Sequence, residues 1–88
     1  MINLKRFEPI HDVFKQNGYN SNLCIETGRH KTSEWVYVKF YVSKHNSHTE
    51  SSFIYHPRDL TYKDLEKEIN KCYKFLINYI KTNFNTEL

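Results

Sequence analysis

Trp35, Tyr37, Lys39 and Tyr41 alternate with Val36, Val38, Phe40 and Val42 along one segment of the chain. On an extended strand, residues two apart share a face. Three rings and an ammonium would then line one side, and four apolar side chains the other. A row of rings beside a cation can stack nucleobases. It can also press against another protein, where Tyr and Trp supply much of the binding energy. The expectation is a partner-binding surface made of Trp35, Tyr37, Lys39 and Tyr41, with Tyr79 added from a second apolar surface on the last helix. The plainer alternative is that the chain itself buries these rings.

A second group is basic. Arg29, His30 and Lys31 lie in the polar stretch Gly28 to Ser33, read as a loop. Joined by Lys44, His45 and Arg58, they would make a phosphate-facing patch, the alternative nucleic-acid reading. A short charge cluster is also what an ordinary solvated loop looks like. His45 and His48 are spaced i,i+3, and His56 falls on the next strand. No cysteine or carboxylate stands at a metal-ligand spacing from them, so no metal is expected. The chain has no glycine-rich phosphate loop, no G-x-S-x-G and no H-E-x-x-H. Neither a catalytic residue nor a cofactor is expected.

The elements that must position these groups follow from periodicity. Leu4, Phe7, Ile10 and Phe14 recur at helical spacing, with Asn3 as a possible cap. Pro9 either opens that helix or bends it, and Asn17-Gly18 ends it. Three strands follow: Asn22 to Thr27, Glu34 to Val42, and Thr49 to His56, the last stopped by Pro57. Thr61 and Asp64 resemble a capping box. Beyond them, Leu65, Ile69, Cys72, Leu76 and Ile80 form an apolar stripe, with acids early and lysines late, as the helix dipole favours. Tyr73, Phe75, Ile77, Tyr79 and Phe84 extend that stripe around more of the helix than one sheet contact covers. That excess predicts a dimer through this helix. The fold class is α+β: helix, three-stranded antiparallel β-meander, long C-terminal helix (α-β-β-β-α).

Eighty-eight residues make a single domain, 1–88, with a modest core. A net charge of +3 is too mild to require nucleic acid. No apolar run is long enough to span a membrane, and the first residues lack a signal-peptide core. Cys24 and Cys72, 48 positions apart, read as two thiols of a reducing compartment. Alanine is absent, while asparagine occurs nine times and lysine ten. Residues with AT-rich codons dominate, which points to an AT-rich bacterial host, or to a phage or mobile element living in one.

The element order resembles that of the double-stranded RNA-binding domain. Thr27-Gly28-Arg29-His30 before the strongest strand is similar to that family's loop between its first two strands. The resemblance implies lysines at the start of the second helix. The chain instead reads Arg58-Asp59-Leu60-Thr61-Tyr62-Lys63-Asp64-Leu65-Glu66, whose acids repel phosphate. In size and composition the chain also resembles small phage-encoded inhibitors of host defence, such as anti-CRISPR proteins. The leading expectation is a non-catalytic protein-binding module in the cytoplasm of a bacterial host, acting on a host protein. Nucleic-acid binding is the alternative, and a homodimer a further possibility.

Overall fold

The computed structural model describes residues 4–31, 33–44, 51–55 and 65–88, with the backbone alone at 27, 29, 30, 33–35, 37 and 51. A single 3-10 turn, Lys5–Phe7, leads into helix α1, Glu8–Gln16. Pro9 falls in the first turn of α1, where its missing N–H leaves no helical bond unmade. The chain therefore coils before the proline without a mid-helix kink. Asn3 lies outside the described residues. At the far end Asn17 donates from its side-chain Nδ2 to the carbonyl of Val13 at 2.7 Å. Gly18 then takes φ +87°, with open space where a Cβ would stand. Only the left-handed backbone asks for glycine here.

Strands β1 (Tyr19–His30), β2 (Ser33–Lys44) and β3 (Ser51–Tyr55) form one antiparallel sheet in the order β1-β2-β3. Helix α2 spans Leu65–Phe84. The fold is thus α+β in the expected order. The stretch from Gly28 to Ser33 is not a loop. Gly28, Arg29 and His30 pair with Trp35, Glu34 and Ser33, leaving only positions 31 and 32 to join the strands. Lys31 supplies the left-handed conformation, φ 55°, that tight hairpins need. Polar residues and a glycine mask the strand period there, and pairing with the strongly β-prone β2 overrides their weak propensity. The capping pair Thr61 and Asp64 lies outside the described residues.

One irregularity shapes the sheet. Phe40 pairs with Tyr55 but Tyr41 pairs with Phe53, so Ile54 is an extra residue in a β-bulge. Tyr55 and Phe53 therefore point to opposite faces despite their spacing of two.

Both helices pack on one face of the sheet. Phe7, Ile10, Val13 and Phe14 of the N-terminal segment meet Val38, Phe40 and Val42 of β2 and Ile69, Cys72, Leu76 and Ile80 of α2. Val36 is fully buried as well, and Leu65 is half-buried against the cluster. This is the apolar side of the alternation and the stripe of the last helix, brought together as their periods predict. Burial pushes the Cys72 thiol up to about 12, a shift only partly opposed by Arg6. The hydroxyl of Tyr55 donates to Glu68 Oε2 at 2.9 Å, tying β3 to α2. Burial, then that bond, raises the Tyr55 phenol above its ordinary range. The Arg6 guanidinium lies 4.7 Å over the Tyr73 ring and donates to Asn70 Oδ1, fastening the start of the chain to α2.

Candidate functional site

Neither helix packs on the other face of the sheet. By register it is built from Asn22, Cys24 and Glu26 of β1, Lys39 and Tyr41 of β2, and Phe53 of β3. Tyr41 and Phe53 form its aromatic centre, their ring centroids 4.6 Å apart and their planes at 47°. Such a cross-strand ring pair stabilises a sheet locally, by roughly 0.2–1 kcal/mol. Tyr41 is half-buried, but Phe53 remains 50 % exposed.

Lys39 lies between these rings and β1. Its Nζ bonds Glu26 Oε2 at 3.0 Å and sits 5.8 Å from the Phe53 ring centroid. Only 16 % of the Lys39 side chain is accessible. Glu26 therefore neutralises the cation of this face, and the stem of Lys39 fills space beside the aromatic pair. Asn22 donates to Cys24 Sγ at 3.1 Å, so the rim on β1 is polar, with Glu26 as its one charge among the described side chains. Among the described residues the face is apolar at its centre, and its charges, Lys39 and Glu26, offset each other.

Lys39 and Tyr41 are thus placed together as the alternation predicts. Trp35 and Tyr37 occupy β2 opposite Gly28 and Glu26; the expectation for their rings lies outside the described side chains. Sequence reasoning missed Phe53. Plain alternation puts Phe53 and Tyr55 on one face, and only the bulge at Ile54 separates them. Nothing in the residues 51–55 marks a bulge.

Tyr79 belongs to a different place. Its ring contacts Phe14, Phe75 and Phe84, with centroids 6.0, 6.4 and 6.1 Å away. Phe84 in turn meets Phe14 and Tyr19. The surplus apolar surface of α2 is largely taken up by α1 and the start of β1, leaving Phe75 as the exposed ring at 42 %. The short first helix covers more of α2 than its length suggests, because Phe14 and Tyr19 add large rings at its C-terminal end.

Two members of the basic group lie far apart. Lys31 lies at the turn joining β1 and β2, while Lys44 pairs with Tyr19 at the opposite end of the same hairpin. Twelve-residue strands separate those ends by roughly 36 Å. Lys31 and Lys44 therefore cannot share one phosphate patch. Arg29 and His30 are strand residues next to the turn. His45, His48, His56 and Arg58 lie outside the described residues. Among the described residues no cluster of three potential metal ligands occurs.

One further polar contact tests for chemistry. His11 Nδ1 and Ser21 Oγ lie 2.6 Å apart, and the imidazole stacks on Phe40 at 5.4 Å. Burial lowers the affinity of His11 for a proton, against the opposing charges of Asp12 and Glu8. The pair joins α1 to β1 beneath the helix. A shallow cleft of about 180 Å³ is lined by Ile77, Lys81, Glu87 and Leu88, remote in sequence from this pair and smaller than ligand pockets usually are. No described helix is long and apolar enough to cross a membrane. No family model matches the sequence, and neither a curated protein nor a solved structure matches it.

Proposed function

We propose that this chain is a non-catalytic protein-binding module that uses the open face of its sheet, and that it inhibits a host protein on behalf of a phage or other mobile element in the bacterial cytoplasm. The observation that carries the reading is the Tyr41–Phe53 pair, which stands on a face that neither described helix covers, with one ring half in water. Half of a phenylalanine is roughly 100 Å² of apolar surface. Covering it would contribute about 2–3 kcal/mol, a hot-spot-sized gain. The neutralised Lys39–Glu26 pair suits an uncharged apolar partner surface better than a phosphate backbone. The alanine-free, asparagine- and lysine-rich composition supports the source.

The test is capture of a partner from a lysate of an AT-rich bacterial host, with and without nuclease. A partner retained after nuclease, and lost with the double variant Tyr41→Ser/Phe53→Ser, supports the module. Phe75→Ser on the outer side of α2 should leave capture intact. Retention that vanishes with nuclease, or that falls steeply between low and physiological salt, would instead favour nucleic acid.

A further inference from the structure

The two edges of the sheet are unequal. β3 is an edge of five residues interrupted by a bulge, and short bulged edges resist pairing with another strand. β1 is an edge of twelve residues with a continuous register to β2. It contains no proline, no lysine and no bulge, and Glu26 and Arg29 are its only charged residues apart from any charge on His30, so it is protected less than β3. Among the described residues, β2 is the only strand paired with it.

The hairpin fixes which backbone groups of β1 remain outward. His30 and Ser33 close a two-residue connection, so they exchange both backbone bonds. The pattern alternates from there. Even-numbered residues of β1 bond β2, and Tyr19, Ser21, Leu23, Ile25, Thr27 and Arg29 direct their N–H and C=O groups away from it. Leu23 and Ile25 are also only half-buried at the margin of the core. The turn that precedes α1 is fastened to α2. Phe7 meets Tyr73 at 5.5 Å and Arg6 bonds Asn70, both on α2.

We propose that the occupant of this edge is a second copy of the chain, with the two β1 strands antiparallel about a two-fold axis at Cys24. The sequence of β1 is complementary to itself in that register. Leu23 faces the partner's Ile25 and Ile25 faces the partner's Leu23, which closes the half-exposed apolar margin on the helix side. Asn22 faces the partner's Glu26 on the open side, twice, with no like charges opposed. Cys24 faces the partner's Cys24 at a non-hydrogen-bonded position, where Cα atoms approach to about 4.5 Å. Pairing joins two three-stranded sheets into one of six strands and places two Tyr41–Phe53 pairs on a single continuous face. The dimer stands independently of what that face binds.

Sedimentation of the full chain across a wide concentration range reads the assembly, and variants at exposed Asn22 read its register. Asn22→Glu sets carboxylates against the partner's Glu26 at both symmetric positions and should weaken the dimer roughly tenfold, the size expected for two disturbed cross-strand contacts. Asn22→Lys should hold or tighten it. Unchanged thermal melting of both variants shows that the fold is kept. In Cys72→Ser, diamide should take one hydrogen from each of two Cys24 thiols and join them as a disulfide, giving a covalent dimer that Cys24→Ser cannot form. A wild type that sediments as a monomer at every concentration overturns the proposal. So does a dimer that is indifferent to Asn22→Glu and fails to cross-link at Cys24, since its interface must then lie elsewhere, for example at Phe75.

Discussion

Phe40 and Phe53 are the same residue type, on adjacent strands and one pairing position apart, yet one is wholly buried and the other 50 % exposed. Phe40 lies under α1, against His11 and Phe14, with ring centroids at 5.4 and 5.5 Å. Phe53 has Tyr41 and the stem of Lys39 beside it on a face that neither described helix covers. Hydrophobicity does not separate the two rings; the layer above each does. On the helix side a ring gains contact from three elements. On the open side the ring of Phe53 stays half exposed, so part of its apolar surface still has something to gain from a partner.

The largest expected effect lies on the helix side. Val38→Asp places an unpaired carboxylate in a fully buried position and should cost about 4 kcal/mol or more, enough to unfold a domain of this size. Circular dichroism of the purified variant checks it; a native melting curve would show that the two faces are not what distinguishes the rings. Phe14→Ala comes next, because its ring meets Tyr19, Phe40, Tyr79 and Phe84. A loss of about 3–5 kcal/mol is expected, measured by urea unfolding. Tyr41→Ser/Phe53→Ser should be milder for the fold, about 1–2 kcal/mol from the lost ring pair and strand propensity, while abolishing partner capture. If that double variant melts as severely as Phe14→Ala, the open face is a second core rather than a surface.

The smallest effect sharpens the helix side alone. Burial holds His11 below its ordinary value of 6.5. As pH falls, the unfolded chain takes up that proton before the folded one does. The stability contribution is complete above pH 6.5 and declines as pH falls from there towards the lowered folded value. Thermal melts of wild type and His11→Asn, compared across that window, should show a shallower decline in the variant. Parallel slopes would mean that the imidazole titrates freely despite its stack on Phe40.

The parts of the fold that depend on a regular period were legible. Val36, Val38, Phe40 and Val42 alternate strictly, and Ile69, Cys72, Leu76 and Ile80 follow helical spacing, so their meeting in one core could be read from spacing alone. Two features were not legible. Gly28 to His30 have too little apolar character to announce a strand, and they become one because β2 offers a long partner. Phe53 reaches the open face only through an added residue, and nothing in Ser51–Tyr55 tells an added residue from a regular one. The candidate site was half-visible for the same reason: Lys39 and Tyr41 follow the alternation, while their neighbour across the strand does not. The separation of Lys31 from Lys44 was equally hidden, because it depends on how far a hairpin runs rather than on which residues it contains.

Ile54 also sets how this protein can tolerate changes in length. Because the bulge absorbs one residue, deleting position 54 would leave Tyr55 opposite Phe40 and Phe53 opposite Tyr41, with every neighbour in β3 still on its present face. Such a deletion would be nearly silent in the hydrophobic pattern. Its consequence would appear at the border of the sheet. A straightened β3 would lose the local twist that discourages strand addition, so a chain one residue shorter would have two sticky borders and could propagate from copy to copy. If β1 pairs with a second copy as proposed, a single frame-preserving codon would separate a closed pair from an open chain of copies.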